Sequence, residues 1–173
     1  MSFSAKTAVV AACALLAATA ANAGDFRTKA NVTRVIDGDT VVVRLANGRS
    51  EHVRVIGVDT PEIAHRDAPA ACGGDDAAAF VRRTLGGQRV RLATGVEPHD
   101  RYGRTLASVT VLSGPLAGAD LAATLADRGL ARPLPIPPND ANAADVARRV
   151  RTARAAGLGL WSACGFERAF PGK

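Results

Sequence analysis

The sequence predicts a mainly β domain that also carries about three helices. Five β-prone runs lie between residues 26 and 112, one helical stretch follows the third run, and further helical stretches follow the fifth. The chain of 173 residues is 47% hydrophobic and 22% charged, which is typical of one soluble globular domain. Because no internal repeat interrupts this order, we expect a single unit and not an array.

The first 23 residues differ from the rest of the chain. A short polar start carrying Lys6 precedes an alanine-rich apolar run, and an A-x-A cleavage pattern ends at Ala23. We expect a secretory signal peptide cleaved after Ala23, which leaves residues 24–173 as one secreted or periplasmic domain; losing Lys6 lowers the net charge from +6 to +5. A membrane anchor is disfavoured because the apolar run is short. A lipoprotein site at Cys13 would leave almost no apolar core before the cysteine.

The first three strands are expected to follow one another as hairpins. Residues 26–36 form the first strand, and residues 39–45 and 51–58 form the next two. The second and third strands flank Asn47-Gly48, which is the strongest short hairpin signal. These two strands therefore pair antiparallel.

The expected hairpin turn also predicts a register. With a two-residue turn, Val41 faces Arg54 and Asp39 faces Ile56. Asp39 and Arg54 then share one face as diagonal neighbours, about 7–8 Å apart. Neither residue is expected in the core, so their replacement should leave the fold intact.

The later elements are predicted from periodicity and from turn residues. In order, we expect a loop over residues 63–73, a helix capped by Asp75 or Asp76 that runs to about Leu85 and stops at Gly86-Gly87, a strand over 88–93, a polar loop over 94–103, a strand over 104–112, a helix over 119–128 ended by Gly129, an extended proline-rich segment over 132–138, and a final helix over 140–156 stopped by Gly157.

The hairpin gathers three carboxylates at one end, those of Asp39, Asp59 and Glu62, with Arg54 beside them. Carboxylates brought together repel one another unless a cation or a shared proton relieves them. Oxygen-only ligands suit a hard cation such as Ca²⁺ or Mg²⁺ better than zinc. An arginine beside such an ion suits a phosphate ligand, because its fork binds two oxygens. The alternative is a hairpin whose acidic turn residues are simply solvated.

Four short segments carry most of these polar residues and their neighbours. They are residues 36–40 (IDGDT), 54–62 (RVIGVDTPE), 100–104 (DRYGR) and 129–131 (GLA). Together they resemble the signature segments of the staphylococcal nuclease (thermonuclease) family, in its order and close to its spacing. The resemblance runs from about residue 30 to Trp161. It implies a five-stranded oligonucleotide-binding (OB) barrel elaborated with helices, whose strand order periodicity alone does not determine.

The resemblance also implies a metal site. Asp39 and Asp59 would be carboxylate ligands of one Ca²⁺, with the backbone carbonyl of Thr60 as a third protein ligand and waters completing the shell. Asp37 would lie near the ion in a supporting role. Gly38 is expected to provide a turn with a positive φ.

The same resemblance assigns the residues that act on the substrate. Glu62 would lie near the attacking water as general base, and Arg54 and Arg104 would hold the scissile phosphate and stabilise its developing charge. Arg101 and Tyr102 are candidate substrate-binding residues, since Tyr102 could stack on a base or bind a phosphate. Packing at the rim of the core is the alternative for Tyr102.

The proline-rich segment departs from the family. Family members often carry tyrosines there that cover the nucleotide base, whereas this chain has Pro135 and Pro137. Only 4% of the residues are aromatic, so stacking should contribute less than charge to substrate binding.

Two cysteines lie outside the predicted signal peptide, Cys72 and Cys164. An even pair in an exported protein favours a disulfide. It would close a loop of about 93 residues and contribute about 4–5 kcal/mol in the chain-entropy model. Neither cysteine belongs to a CxxC or zinc pattern, and His52, His65 and His99 show no metal-type spacing.

These expectations describe an exported, Ca²⁺-dependent, monomeric nuclease that hydrolyses DNA and RNA. By resemblance, the 5′-oxygen leaves and the products end in 3′-phosphate. One alternative is a non-catalytic OB module that binds nucleic acid. A second is a calcium-stabilised extracellular protein without a nucleic-acid partner.

Overall fold

The structure is a computed structural model that describes residues 27–172. The predicted signal peptide, residues 1–23, lies outside this range. Between residues 27 and 172, no helix has the length and apolar character needed to cross a membrane.

Strands dominate the first two thirds of the described chain, and helices dominate the remainder. In order, the elements are β1 (Arg27–Val35), β2 (Thr40–Leu45), β3 (Ser50–Val55), β4 (Gly57–Asp59), α1 (Gly74–Leu85), β5 (Arg89–His99), β6 (Thr105–Val111), α2 (Leu121–Asp127), β7 (Arg132–Leu134), α3 (Ala143–Ala155), α4 (Leu160–Ala163) and α5 (Phe166–Ala169).

Five strands close into a barrel in the order β1-β2-β3-β6-β5, with β5 pairing back to β1. All neighbouring pairs are antiparallel except β3 and β6, which are parallel. The predicted five-stranded barrel with helices is therefore confirmed. The described chain has five helices instead of about three, because α4 and α5 are single four-residue turns that are too short to show helical periodicity.

The barrel interior is filled by alternate residues of its strands. On β2 and β3 these are Val41, Val43, Val53 and Val55, each at most 2% exposed. Leucines of α1 and α2 join the same cluster from outside the sheet. Val42, between two of these valines, is also buried, so β2 is a continuous apolar run and not an alternating one.

The β2–β3 register differs from the predicted one by a single residue. Thr40 faces Arg54 and Val41 faces Val53. With the predicted register, Val41 would have faced Arg54. Because a one-residue slip moves a whole strand to the other face of the sheet, only the observed register brings both valines into the core.

The turn explains the difference. The N–H of Gly48 donates to the carbonyl of Leu45 (3.0 Å), and the N–H of Leu45 donates to the carbonyl of Arg49 (2.9 Å). Gly48 has a φ of +84°, in the left-handed region. The loop therefore has three residues ending in a left-handed glycine, which is the next most common hairpin turn after the two-residue one.

Two predicted strand boundaries are wrong. The expected strand over 51–58 breaks at Ile56, and its second half, β4, pairs with β7 in a separate two-stranded sheet. β5 continues to His99 instead of ending near residue 93. The last residues of β5 are exposed, and Val96 is 81% exposed. Because neither face of this part of the strand is buried, its sequence shows no alternation of apolar and polar residues, and the extension was not predicted.

Helix α1 is capped differently from the prediction. It begins at Gly74 after Gly73, whose φ is 82°, and no side chain caps it. Asp75 and Asp76 lie in its first turn instead, where negative charge interacts favourably with the helix dipole. The helix ends at Leu85, as expected.

The structure joins Cys72 to Cys164 in a disulfide, with Cα atoms 5.7 Å apart. The bond connects the loop before α1 to the end of α4. Cys164 is buried in a small second core that includes Leu160 and Phe170. The disulfide therefore links the C-terminal helices α4 and α5 covalently to the loop that precedes α1.

Candidate active site

Asp39 lies at the end of the β1–β2 turn and is 4% exposed. Its Oδ2 accepts hydrogen bonds from the backbone N–H of Thr60 (2.7 Å) and from the Thr60 hydroxyl (3.1 Å). Its Oδ1 accepts from the Thr40 hydroxyl (3.1 Å), and its N–H donates to Oδ1 of Asp37 (3.0 Å). The carboxylate therefore joins this turn to the chain just after β4.

Gly38 is required by close packing and not by its backbone angles. It has no positive φ, so the expected reason for a glycine here is wrong. A Cβ at this position would lie 2.7 Å from Cγ2 of Thr60 and 2.9 Å from Cβ of Ala77. The absent side chain lets the turn pack against Thr60, which holds the Asp39 carboxylate.

Arg54 places its guanidinium between two buried aspartates. Its Nη2 is 3.2 Å from Oδ2 of Asp39 and 3.3 Å from Oδ1 of Asp59. Its Nη1 donates to the carbonyls of Val55 (2.9 Å) and Val58 (2.8 Å). Arg54 is only 9% exposed and Asp59 5%. The expectation that Asp39 and Arg54 lie outside the core is therefore wrong.

The predicted proximity of Asp39 and Arg54 is present, although by a different route. Arg54 lies opposite Thr40 in the ladder, and Asp39 precedes the first residue of β2. The carbonyl of Asp39 accepts from the N–H of Val55 at 2.9 Å, so Asp39 lies opposite the residue that follows Arg54, and its carboxylate is 3.2 Å from the guanidinium.

Arg132 completes this cluster and was not predicted as a site residue. It lies opposite Asp59 in the β4–β7 pair, and its Nε donates to Oδ2 of Asp59 at 2.9 Å. Its guanidinium also lies 5.0 Å from the ring centre of Phe170. A signal existed in the sequence, because the extended proline-rich segment follows residues 129–131 directly and could have been paired with the strand containing Asp59.

The protonation of Asp39 is shifted by its surroundings. Burial is the largest influence and raises the pKa of Asp39 to about 7. The guanidinium of Arg54 and the N–H of Thr60 lower the pKa, while the neighbouring Asp37 carboxylate raises it. Near neutral pH, this carboxylate is therefore not fully compensated by the protein, which favours a further cation beside it.

Arg104 is held by Asp100 at the start of β6. The side-chain Nε of Arg104 donates to Oδ2 of Asp100 at 2.7 Å, and the backbone N–H of Arg104 donates to Oδ1 of Asp100 at 3.0 Å. Burial raises the pKa of Asp100, but these bonds and the N–H of Tyr102 outweigh it and leave the pKa below its usual value. Tyr102 is 68% exposed and contacts both Arg101 and Arg104 with its ring, so it does not pack at the core rim.

An open cleft of about 440 Å³ lies beside this cluster. Arg54, Arg101, Tyr102 and Arg104 all line it. Its remaining lining residues are Val55, Ile56, Gly57, Val58, Glu97, Asp100, Leu106, Leu134, Ile136 and Asn139. The cleft thus combines three arginines and one tyrosine with an apolar floor, a combination that suits a phosphate ester carrying a planar base.

The predicted metal ligands lie together, while Glu62 lies apart from the cleft. Asp39, Asp59 and Thr60 are buried and do not line the cleft. The side chain of Glu62 is 52% exposed and lies 3.9 Å from the His65 ring, and it is also not among the lining residues. The structure therefore assembles the carboxylate and arginine parts of the expected site, while Glu62 is not among the residues that line the cleft.

Two carboxylates near Arg54 are the candidate ligands for a metal ion. Between residues 27 and 172, no cluster of three or more histidine, cysteine or acidic side chains is arranged to hold an ion. Asp39 and Asp59 still offer an oxygen-only donor set of two carboxylates that meet one Nη2 atom of Arg54. This donor chemistry fits a hard cation with water completing its shell, and it does not fit zinc.

Comparison with known proteins gives a consistent picture. Residues 52–163 match the protein family described as "Staphylococcal nuclease homologue". A thermonuclease from Staphylococcus intermedius is 41% identical over 130 residues, which cover 75% of this chain and 74% of that protein. A thermonuclease from Staphylococcus hyicus is 47% identical over 78 residues, which cover 45% of this chain and 46% of that protein. Endonuclease YncB from Bacillus subtilis is 36% identical over 105 residues, which cover 59% of this chain and 47% of that protein.

Proposed function

The chain belongs to the staphylococcal nuclease family, and from this membership we propose an exported, calcium-dependent nuclease that hydrolyses DNA and RNA with little sequence preference. One observation carries the proposal. The guanidinium of Arg54 contacts two buried carboxylates and also lines the open cleft. A single residue thus connects a candidate cation site with a candidate phosphate site.

Calcium is proposed from the chemistry of the donors. Asp39 and Asp59, with the backbone carbonyl of Thr60, would hold the ion. Burial raises the pKa of Asp39 to about 7, which supports a cation beside this carboxylate. When bound, calcium would neutralise charge on the phosphoryl oxygens. The match to the family begins at residue 52, so for Asp39 the support is its contact with Arg54 and Thr60 and its place in the IDGDT segment.

Arg54 and Arg104 would hold the scissile phosphate from two sides of the cleft. The Nη atoms of Arg54 already meet two carbonyls and two carboxylates, so Arg54 would offer a phosphoryl oxygen its Nε–H and its permanent charge, whereas Arg104 would donate from its Nη atoms. Arg104 is oriented by Asp100, and Arg54 by the carbonyls of Val55 and Val58. Because both arginines are fixed before substrate arrives, little reorganisation is needed as charge develops on the phosphate.

Glu62 is proposed as the general base that accepts a proton from the attacking water. The side chain of Glu62 is 52% exposed, so its carboxylate is accessible to water. In this proposal the 5′-oxygen leaves as the P–O5′ bond breaks, and the products carry 3′-phosphate ends. Base stacking has a small role, since Tyr102 is the aromatic side chain among the residues that line the cleft.

Export is proposed from residues 1–23, which have the polar, apolar and A-x-A regions of a signal peptide. A disulfide between Cys72 and Cys164 agrees with an oxidising compartment. Cell fractionation followed by N-terminal sequencing tests this part. A mature protein that begins at Gly24 in the periplasm or medium supports it, and an uncleaved cytoplasmic chain contradicts it.

One assay separates the proposed function from its two alternatives. Purified mature protein is incubated with single-stranded DNA, either with calcium or with a chelator. Cleavage only in calcium supports the proposal. Retention of DNA without cleavage in both conditions identifies a non-catalytic binding module. Calcium-dependent melting with neither retention nor cleavage identifies a calcium-stabilised protein with another role.

A further inference from the structure

The outer face of the barrel carries four cations that face solvent on β1, β2 and β5. Lys29 lies opposite Arg91, and Asn31 lies opposite both Arg89 and Arg44. Arg91 is partly exposed and the other three cations are exposed. In the part of the chain that the structure describes, none of the four forms an ion pair. We call Lys29, Arg44, Arg89 and Arg91 the basic barrel face.

This arrangement is unfavourable for the isolated protein. Like charges directly opposite one another in an antiparallel pair destabilise the sheet, and Lys29 and Arg91 are such a pair. The surface there is concave, since Lys29, Arg89 and Arg91 line a depression of about 360 Å³. A concave group of unpaired cations binds a polyanion by charge complementarity.

The basic barrel face is separate from the catalytic cleft. None of its four cations lines that cleft. Arg54 lines the cleft and lies opposite Thr40, and Arg44 is four residues farther along β2, so about 3.3 Å per residue places Arg44 about 13 Å along the strand from the cleft. A molecule bound at this face therefore does not occupy the cleft, and a strand several nucleotides long is needed to contact both.

Resting on the proposed nuclease function, we propose that the basic barrel face binds the sugar-phosphate backbone of nucleic acid outside the cleft and so retains long substrates. Arginine binds two phosphate oxygens at once, while lysine adds a point charge. Contacts to the backbone carry no sequence information, which agrees with a nuclease of little sequence preference. Such binding must weaken as salt concentration rises, because each neutralised phosphate releases counterions.

A charge-matched pair of variants tests the proposal. Lys29→Gln with Arg91→Gln removes two charges from the basic barrel face. Arg148→Gln with Arg151→Gln removes two exposed charges from α3. Binding of a labelled 30-nucleotide single strand is measured by fluorescence anisotropy in a chelator over a range of salt concentrations. The first variant should fold as well as the wild type, because it relieves a repulsion, and its melting temperature checks this.

The proposal predicts that the first variant lowers the slope of log affinity against log salt by about 1.4, while the α3 variant leaves it unchanged. With calcium, its KM for the 30-nucleotide strand should rise several-fold, and its kcat/KM for a trinucleotide should stay at the wild-type value. A slope equal to that of the α3 variant overturns the proposal. So does loss of binding to vesicles of anionic lipid with unchanged DNA binding, which would assign the face to a membrane surface. Binding in the chelator stays measurable even if calcium brings no cleavage, so failure of the nuclease proposal is recognised separately.

Discussion

Asp59 and Arg132 lie directly opposite one another in the β4–β7 pair, and the Nε of Arg132 donates to Oδ2 of Asp59 at 2.9 Å. The two residues are 73 positions apart in the chain. Asp59 also contacts Arg54 through its other oxygen. A proposed metal ligand is thus held by two arginines, one from the barrel and one from the segment before α3.

Removing Arg132 should therefore weaken the fold near the site. Arg132→Gln should lower the free energy of unfolding by about 2 kcal/mol, because a buried carboxylate loses a charge-assisted hydrogen bond. Denaturant melts of the metal-free protein measure this loss. Arg148→Gln removes an exposed pair with Asp145 and should cost under about 1 kcal/mol. Equal losses in the free energy of unfolding would show that the contact between Arg132 and Asp59 stabilises the fold no more than an exposed ion pair does.

Asp39 should make the metal-free protein less stable as pH rises. Its pKa is raised to about 7 in the folded protein, so the carboxylate must ionise in a buried place while it ionises freely in the unfolded chain. The unfolded state then binds fewer protons, and stability falls between about pH 4 and pH 7. The cost at higher pH is on the order of 4 kcal/mol without calcium.

Asp39→Asn tests this pH dependence. The neutral variant should melt at a higher temperature than the wild type at pH 8 in a chelator, should lose the fall in stability between pH 4 and 7, and should lose nuclease activity. Asp145→Asn is a suitable control, because Asp145 is exposed on α3 and lies outside the site. If Asp39→Asn melts below the wild type at pH 8, the carboxylate stabilises the fold and the calcium assignment loses its electrostatic basis.

Asp100 should act through Arg104. Asp100→Asn keeps an oxygen for the backbone N–H groups of Tyr102 and Arg104 but loses the charge that orients the guanidinium. We expect kcat to fall about tenfold with little change in melting temperature, since Asp100 lies in a surface turn. Steady-state kinetics on single-stranded DNA measure the effect. An unchanged kcat would mean that Arg104 needs no orientation by Asp100, or that it has no part in the reaction.

A new aromatic side chain in the cleft should strengthen substrate binding. Ile136 is 54% exposed and lines the cleft, whereas Pro135 and Pro137 do not. Ile136→Tyr should tighten binding of a trinucleotide in a chelator by about tenfold, because a base stacked on an aromatic ring gains about 1–3 kcal/mol. Pro135→Tyr is the matched control and should change binding little. The reverse result would place the base on the other side of this segment.

Much of the fold was predictable because it follows local rules. The two β-prone runs that form β2 and β3 flank Asn47-Gly48, which marks the turn, so the hairpin was evident from the sequence. Its register was not, because Asn47-Gly48 fits both a two-residue and a three-residue turn and only burial of Val41 and Val53 decides between them. The break after Val55 was also hidden, since β4 pairs with a segment more than 70 residues away.

The site was predictable where the residues are close in the chain and hidden where they are not. Asp39, Asp59 and Arg54 lie within one hairpin and its extension, and their meeting was expected. Arg132 was missed because its partner in the sheet lies far along the sequence. The burial of Arg54 was also missed, since a charged residue is buried only when partners satisfy it, and those partners are known only from the fold.

The central claim is that Arg54 connects the carboxylates to the scissile phosphate. Arg54→Lys keeps a positive charge beside Asp39 and Asp59, but its three N–H donors cannot meet two carboxylates, two carbonyls and a phosphoryl oxygen at once. The direct measurement is the initial rate of single-stranded DNA cleavage in saturating calcium, compared with Arg148→Lys on α3. The account predicts a rate at least about 100-fold below the wild type for Arg54→Lys and a wild-type rate for the control. A folded Arg54→Lys enzyme with near-native turnover would contradict it.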